Sequence, residues 1–198
     1  GAVRRMVLLL AALLAGCAAE PIRSPSAPDP TTDIQSIAAI QNWTAVGRVA
    51  IQRGNEGWSA SLRWRKRGAK FQLRLTAPLG QGTYQLSGDD AQVELVMPDG
   101  SRYYAANAQA LMETHLGWSI PVAGAEYWLR GLVAPDSAPN HINRDDAGRM
   151  LDMEQQGWRI SVLRRVVIDN LSLPSKLFMH ISDLKVRIAI SSWKLGNT

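Results

Sequence analysis

Trp58-Ser59-Ala60-Ser61-Leu62-Arg63-Trp64-Arg65, followed after Gly68 by Phe71-Gln72-Leu73-Arg74-Leu75-Thr76, is the stretch that decides the fold. Large apolar side chains fall on every second residue and polar or small ones between them, the pattern of strands with one face against a core and the other in water. The close spacing across Gly68 makes the two runs neighbours in an antiparallel meander. Working outward, Ala45, Gly47, Val49 and Ile51 form an earlier strand. Tyr84 with Leu86, Val93 with Leu95, and Tyr103 mark three later ones, separated by turn signals at Gly88-Asp89 and Asp99-Gly100. Beyond Asn107 the period becomes helical: Leu111, Met112, His115 and Leu116 share a face, and Pro121 opens a second short helix bearing Val122, Ala125, Trp128, Leu129 and Leu132, with Gly131 as a stop. A Pro-rich loop covers 134–140. Strands resume at 150–155, 158–162, 177–181 and 184–190, with a weaker candidate at 168–173, about eleven in all. On the N-terminal side, Asp33 opens a helical pattern in which Ile34, Ile37 and Ala38 share a face, ending near Trp43.

One large antiparallel sheet with an apolar face must close on itself or be capped. Short helices between the sixth and seventh strands cannot fill a concave face as a second sheet would. The same stripes therefore fit either an apolar cavity or a dry core.

Composition narrows the function classes. The chain has 198 residues, 46% hydrophobic and 20% charged, consistent with one globular domain with a core of its own. Its single cysteine, Cys17, cannot form an internal disulfide. The net charge is +5, but Arg4 and Arg5 belong to a segment expected to be removed, and the other cations are spaced singly along strands. That spacing is no nucleic-acid footprint. Arg4 and Arg5, the apolar run from Val7 to Ala15 and the closing Leu14-Ala15-Gly16-Cys17 have the layout of a secretory signal peptide over residues 1–16. The last four residues resemble the bacterial lipobox, which implies acylation of Cys17 as the mature first residue. Ala18, in place of an aspartate, then implies export to the outer membrane. Residues 17–32 hold Pro21, Pro25, Pro28 and Pro30 and form a flexible tether; about fifteen extended residues reach roughly 45 Å. The folded domain is expected over 33–198.

No motif for nucleotide binding or catalysis is present. There is no Walker-type loop, and Gly80-Gln81-Gly82 leads into a strand rather than a helix. His115, His141 and His180 are far apart, and Asp89-Asp90 and Asp145-Asp146 sit in turns as solvated carboxylates. No cofactor or metal is implied.

Gln41-Asn42-Trp43 leading to Gly47-Arg48, Leu62-Arg63-Trp64-Arg65, Thr76-Ala77-Pro78-Leu79-Gly80, Gly117-Trp118-Ser119-Ile120-Pro121-Val122, Tyr127-Trp128-Leu129-Arg130-Gly131, Gln155-Gln156-Gly157-Trp158, Leu173-Pro174 and Ile190-Ser191-Ser192-Trp193 together resemble the LolB family of outer-membrane lipoprotein receptors, in order, over residues 36–195. The stretch Ile34 to Ile40 departs from it in being more apolar. The resemblance implies a monomeric, unclosed eleven-stranded half-barrel with a helical lid over an apolar cavity. It also implies a role in accepting lipoproteins from the periplasmic carrier LolA and delivering them to the inner leaflet of the outer membrane. The carrier lacks the lipid anchor, so Cys17 separates receptor from carrier. Expected cavity walls are Leu62, Trp64, Leu73, Leu75, Leu86, Leu95, Ile160 and Val162, with Leu111, Leu116, Trp128 and Leu129 on the lid. Leu79, bracketed by Pro78 and Gly80, either tucks into the core or stays exposed as a tolerated single leucine; the family places it at the tip of a protruding loop that engages membrane. Such a protein answers a physical need. An acyl chain of about sixteen carbons costs on the order of 12 kcal/mol to expose to water, at roughly 0.8 per methylene.

Overall fold

The computed structural model describes residues 30–196; the expected signal segment, Cys17 and most of the tether lie outside them. Among the described residues a helix, α1 (Pro30–Ala39), precedes strands β1 (Asn42–Arg53), β2 (Glu56–Arg67), β3 (Lys70–Thr76), β4 (Thr83–Gly88), β5 (Val93–Val96) and β6 (Arg102–Ala105). Two helices follow, α2 (Ala108–Leu116) and α3 (Val122–Trp128). The chain then returns through β7 (His141–Arg144), β8 (Met150–Gln155), β9 (Trp158–Ile168), β10 (Leu171–Ile181) and β11 (Leu184–Leu195).

All eleven strands form one antiparallel sheet in the order β6-β5-β4-β3-β2-β1-β11-β10-β9-β8-β7. Every neighbouring pair is consecutive in sequence except β1 with β11, which joins the two meanders at the centre. The edges β6 and β7 are unpaired with each other, so the sheet stays open. The connection between those two edges contains α2 and α3, so the chain must cross the apolar face to return, and the helices are thereby laid over it. The bend that makes this face concave includes a bulge between Val46 and Gly47. A Cβ at Gly47 would lie 2.0 Å from the Ala189 carbonyl oxygen, so only glycine permits that approach.

Alternation decides the facing. In β2, Ala60, Leu62 and Trp64 are buried while Ser59, Ser61, Arg63 and Arg65 are exposed; β3 buries Phe71, Leu73 and Leu75. Direct cross-strand partners Trp64, Leu73, Leu86 and Leu95 form one apolar row across four strands. Trp43 packs between Trp64 and Trp193, with ring centroids 5.9 and 5.7 Å away.

Three expectations need correction. The first helix begins at Pro30 and ends at Ala39 rather than near Trp43, and Ala38 is exposed. Trp43 is buried in β1 because its ring fills the gap between Trp64 and Trp193, and this tertiary contact extends the strand back to Asn42. The candidate strand at 168–173 is instead a hairpin turn with the ends of β9 and β10. Asp169 and Asn170 both adopt left-handed backbone, φ 49° and 65°, as a two-residue turn matched to strand twist requires. The eleventh strand is β7, four residues at the sheet edge whose only partner is β8; its sequence, His141-Ile142-Asn143-Arg144, carries too little alternation to read.

Candidate functional site

The site grows out of the concave face and the two helices over it. Val49 and Ile51 from β1, Leu62 and Trp64 from β2, Leu73 and Leu75 from β3, and Val186 and Ile188 from β11 face Met112 of α2 and Trp118 and Ile120 of the α2–α3 loop. Between them lies a wholly apolar cavity of about 20 Å3, room for roughly one water and far less than an acyl chain. Trp64 lines it, and among the described residues its indole Nε1 has no hydrogen-bond partner.

Four of the expected wall residues, Leu62, Trp64, Leu73 and Leu75, are brought together here. Leu86, Leu95, Leu111, Trp128, Leu129 and Ile160 are buried in the surrounding core but do not line the cavity; Leu116 and Val162 are half-buried against it. Val49, Ile51, Met112, Trp118, Ile120, Val186 and Ile188 were not expected as wall. For Trp118 the signal was a tryptophan between Gly117 and Pro121, in a linker too short to form structure of its own.

Next to this cavity is a solvent-open vestibule of about 480 Å3 that shares Ile51 and Trp118 with it. Trp58 and Tyr84 complete an aromatic rim beside Leu116, with Trp58 5.9 Å from both Tyr84 and Trp118 between ring centroids. Trp118 thus lines both the vestibule and the small apolar cavity.

The helical cover is held at both ends. Past α3, Arg130 is buried and donates from Nη1 to the carbonyls of Ile37 and Ile40, each at 3.1 Å, and from Nε to that of Glu126. Lys66 of β2 pairs with Glu126 at 2.8 Å, and Trp128 donates to Gln155 at 2.8 Å. Gln155 is fully buried and closes the network onto Ala134, from which it accepts and to which it donates. Burial pushes the Glu126 carboxyl above its ordinary value, with Lys66 and then Arg130 opposing. Burial also lowers the Arg130 guanidinium, against the pull of Tyr127 and Glu126. At the other end, α2 starts with the Asn107 side chain accepting from Ala110 N at 3.0 Å and stops at Gly117, whose φ of 76° suits a helix terminus. The Gly117 carbonyl accepts from Arg53 Nη1, while Arg53 Nε also lies 3.9 Å from Asp183.

A second feature lies at the C-terminal end of β3. Thr76 and Thr83 hydroxyls are 3.1 Å apart, and Ala77 N donates to Gly82 O at 2.9 Å, closing the base of a turn. Its tip is Pro78-Leu79-Gly80. Leu79 is 96% exposed and sits at φ 55°, ψ 33°, a left-handed conformation that costs a residue with a Cβ about 1 to 2 kcal/mol. A single exposed leucine is ordinary. One held at a turn tip in unfavourable backbone, where glycine would fold better, is not explained by folding.

Among the described residues no helix is long and apolar enough to cross a membrane, and no cluster could hold a metal ion. His115 stacks on Tyr103 with centroids 3.7 Å apart, and Asp89 and Asp145 accept backbone hydrogen bonds within their own turns.

Comparison with known proteins bears on the whole chain. The family model described as Outer membrane lipoprotein LolB matches residues 41–193. The chain is 39% identical to the Outer-membrane lipoprotein LolB of Nitrosococcus oceani, covering 96% of both chains. It is 35% identical to that of Alkalilimnicola ehrlichii, covering 98% of this chain and 100% of the relative, and 33% identical to that of Pseudomonas syringae pv. syringae, covering 96% and 97%. Among solved structures, a LolA superfamily protein from Nitrosomonas europaea superposes with a TM-score of 0.53 at 8% identity, covering 87% of this chain and 96% of that one. A DUF1329 family protein from Desulfovibrio piger does so with a TM-score of 0.50 at 9% identity, covering 86% and 92%. The two structures share the open antiparallel sheet, and the sequence relatives share the family: this chain belongs to the outer membrane lipoprotein LolB family.

Proposed function

We propose that this outer-membrane lipoprotein accepts lipoproteins from the periplasmic carrier LolA, shelters their acyl chains between the sheet and the helical cover, and passes them into the inner leaflet of the outer membrane. The observation that carries the reading is the apolar cavity behind Trp118, continuous in lining with an aromatic vestibule open to water. Because the cavity holds only about 20 Å3, uptake of an acyl chain requires the cover to move. The part taken to move is α2 and the loop to α3, while α3 stays fixed through Glu126, Trp128 and Arg130. Displacing Met112, Trp118 and Ile120 would join vestibule and cavity along β1, β2 and β11. The signal segment 1–16, acylated Cys17 and the tether to residue 32 would fasten the domain to the membrane facing the periplasm. Leu79 would enter the membrane interface and open a short path for the client's chains. With no nucleotide motif in the sequence, transfer would run downhill from a weaker shelter to a stronger one.

Membership in a lipoprotein-localisation family, rather than any absence of catalytic groups, sets the enzyme reading aside. A structural lipoprotein of the outer membrane with a dry core is the second reading, and the small volume of the closed cavity is what favours it. Binding of a hydrophobic fluorescent probe to residues 18–198, displaced by a purified triacylated lipoprotein, supports shelter. A chain that neither takes up probe nor competes for lipoprotein would be structural.

A further inference from the structure

The cations that lie singly along the sequence converge on the outer face of the sheet. One row runs Lys176, Ala189, Arg48, Ser61, Thr76 across β10, β11, β1, β2 and β3 as direct cross-strand partners. In the next row Arg187 stands beside Ala50, which faces Ser59. Small residues thus floor a trough, while Lys176, Arg48 and Arg187 rise as its walls around a solvent-open groove of about 400 Å3. The Arg187 guanidinium lies over Phe178, 5.1 Å from the ring centroid. Among the described residues none of the three cations makes an ion pair, and no Asp or Glu projects from the outer face of these five strands.

Pro78 closes one end of this groove, and the next residue is the exposed Leu79. A cationic trough that ends in an apolar tip is complementary to a bilayer surface, where phosphates lie just outside the acyl region. An acidic protein would match the charge but gives no reason for the leucine beside it. We propose that this groove docks the phosphate headgroups of anionic phospholipids in the membrane, orienting the domain so that Leu79 meets the interface. The inference builds on the membrane contact proposed for Leu79. The charge supplies reach and orientation over about a Debye length, and the leucine supplies the final short-range contact.

The eleven strands of the described residues lie within 42–195, so residues 18–198 contain that sheet without Cys17. This form is sedimented with phosphatidylcholine vesicles and with vesicles containing about one third phosphatidylglycerol, at low and high salt. The parent should prefer the anionic vesicles, and salt should remove the preference. The triple variant Arg48→Gln, Lys176→Gln, Arg187→Gln should lose roughly tenfold or more of that affinity, since each basic side chain at an anionic surface contributes about fivefold. A charge-matched control, Arg65→Gln, Lys70→Gln, Lys194→Gln, alters exposed cations at the far end of the same face and should change it less than about threefold. All sites are exposed, and unchanged thermal melts confirm folding. Equal losses in the two triples, or no loss in the first, overturn the groove. Binding to polyglutamate without any preference for anionic vesicles assigns the face to an acidic protein and overturns it as well. The variant Leu79→Ser separates the underlying reading: if it binds both vesicles as the parent does while the groove triple fails, the groove stands and the membrane role of Leu79 falls.

Discussion

Arg53, at the end of β1, donates from Nη1 to the backbone carbonyl of Gly117, the residue that terminates α2. This contact fastens the C-terminal end of α2 to the sheet at the rim of the vestibule, beside the small apolar cavity.

If that bond restrains the cover, Arg53→Met should raise the rate of hydrophobic probe uptake about tenfold. A charge-assisted hydrogen bond contributes roughly 1.5 to 3 kcal/mol, reduced here by solvent exposure. Stopped-flow fluorescence measures the rate. An unchanged rate would show that Arg53 does not gate the cavity.

Leu62 and Arg63 are consecutive yet lie on opposite faces, one 3% exposed in the cavity wall and the other in water. Leu62→Glu should unfold the domain or abolish probe binding, because an unpaired charge there costs several kcal/mol. Arg63→Glu should leave the thermal midpoint nearly unchanged. Circular dichroism melts of the pair test the facing directly.

Leu79 should separate stability from delivery. Leu79→Gly relieves the left-handed strain and should stabilise the domain by up to about 1 kcal/mol in denaturant unfolding. Leu79→Glu should leave folding and acceptance from the carrier intact but slow insertion about tenfold, since burying one leucine yields only about 1.5 to 3 kcal/mol. A two-stage assay scores client on the domain apart from client in vesicles. Normal delivery by Leu79→Glu would remove the loop from the mechanism.

Glu126 gives a pH dependence of defined sign. Its folded carboxyl titrates above the ordinary value because burial outweighs Lys66 and Arg130, while Asp90 adds to the rise. The stability tied to this group is complete below the unfolded carboxylate value and declines as pH climbs through the raised folded value. Melting temperatures of the parent, relative to Glu126→Gln, should therefore fall as pH rises above the ordinary glutamate range. Parallel curves would show that the pair titrates normally.

Cys17→Ala should yield a chain without an acyl group whose core is unaltered, since the eleven strands of the described residues lie within 42–195. Mass spectrometry of the membrane-extracted parent should find acyl chains on Cys17; their absence would sink the anchor.

Much of this protein is legible along the chain. Alternation in 58–65 and 71–76 determined which side chains of β2 and β3 face inward, because a strand with one wet face allows only one register. Asn107 and Pro121 marked where the two covering helices start, since caps are local chemistry. Only the tertiary structure decided the rest. β7 exists because β8 pairs with it, and Trp43 joins a strand because Trp64 and Trp193 receive it. The closed cavity depends on how far Met112, Trp118 and Ile120 descend onto the sheet, a distance that no residue pattern encodes. Arg48, Lys176 and Arg187 stand far apart in sequence and read as scattered solvated charges. Pairing β1 with β11 and β11 with β10 places them around one groove, because cross-strand neighbours are set by sheet order and register rather than by position along the chain.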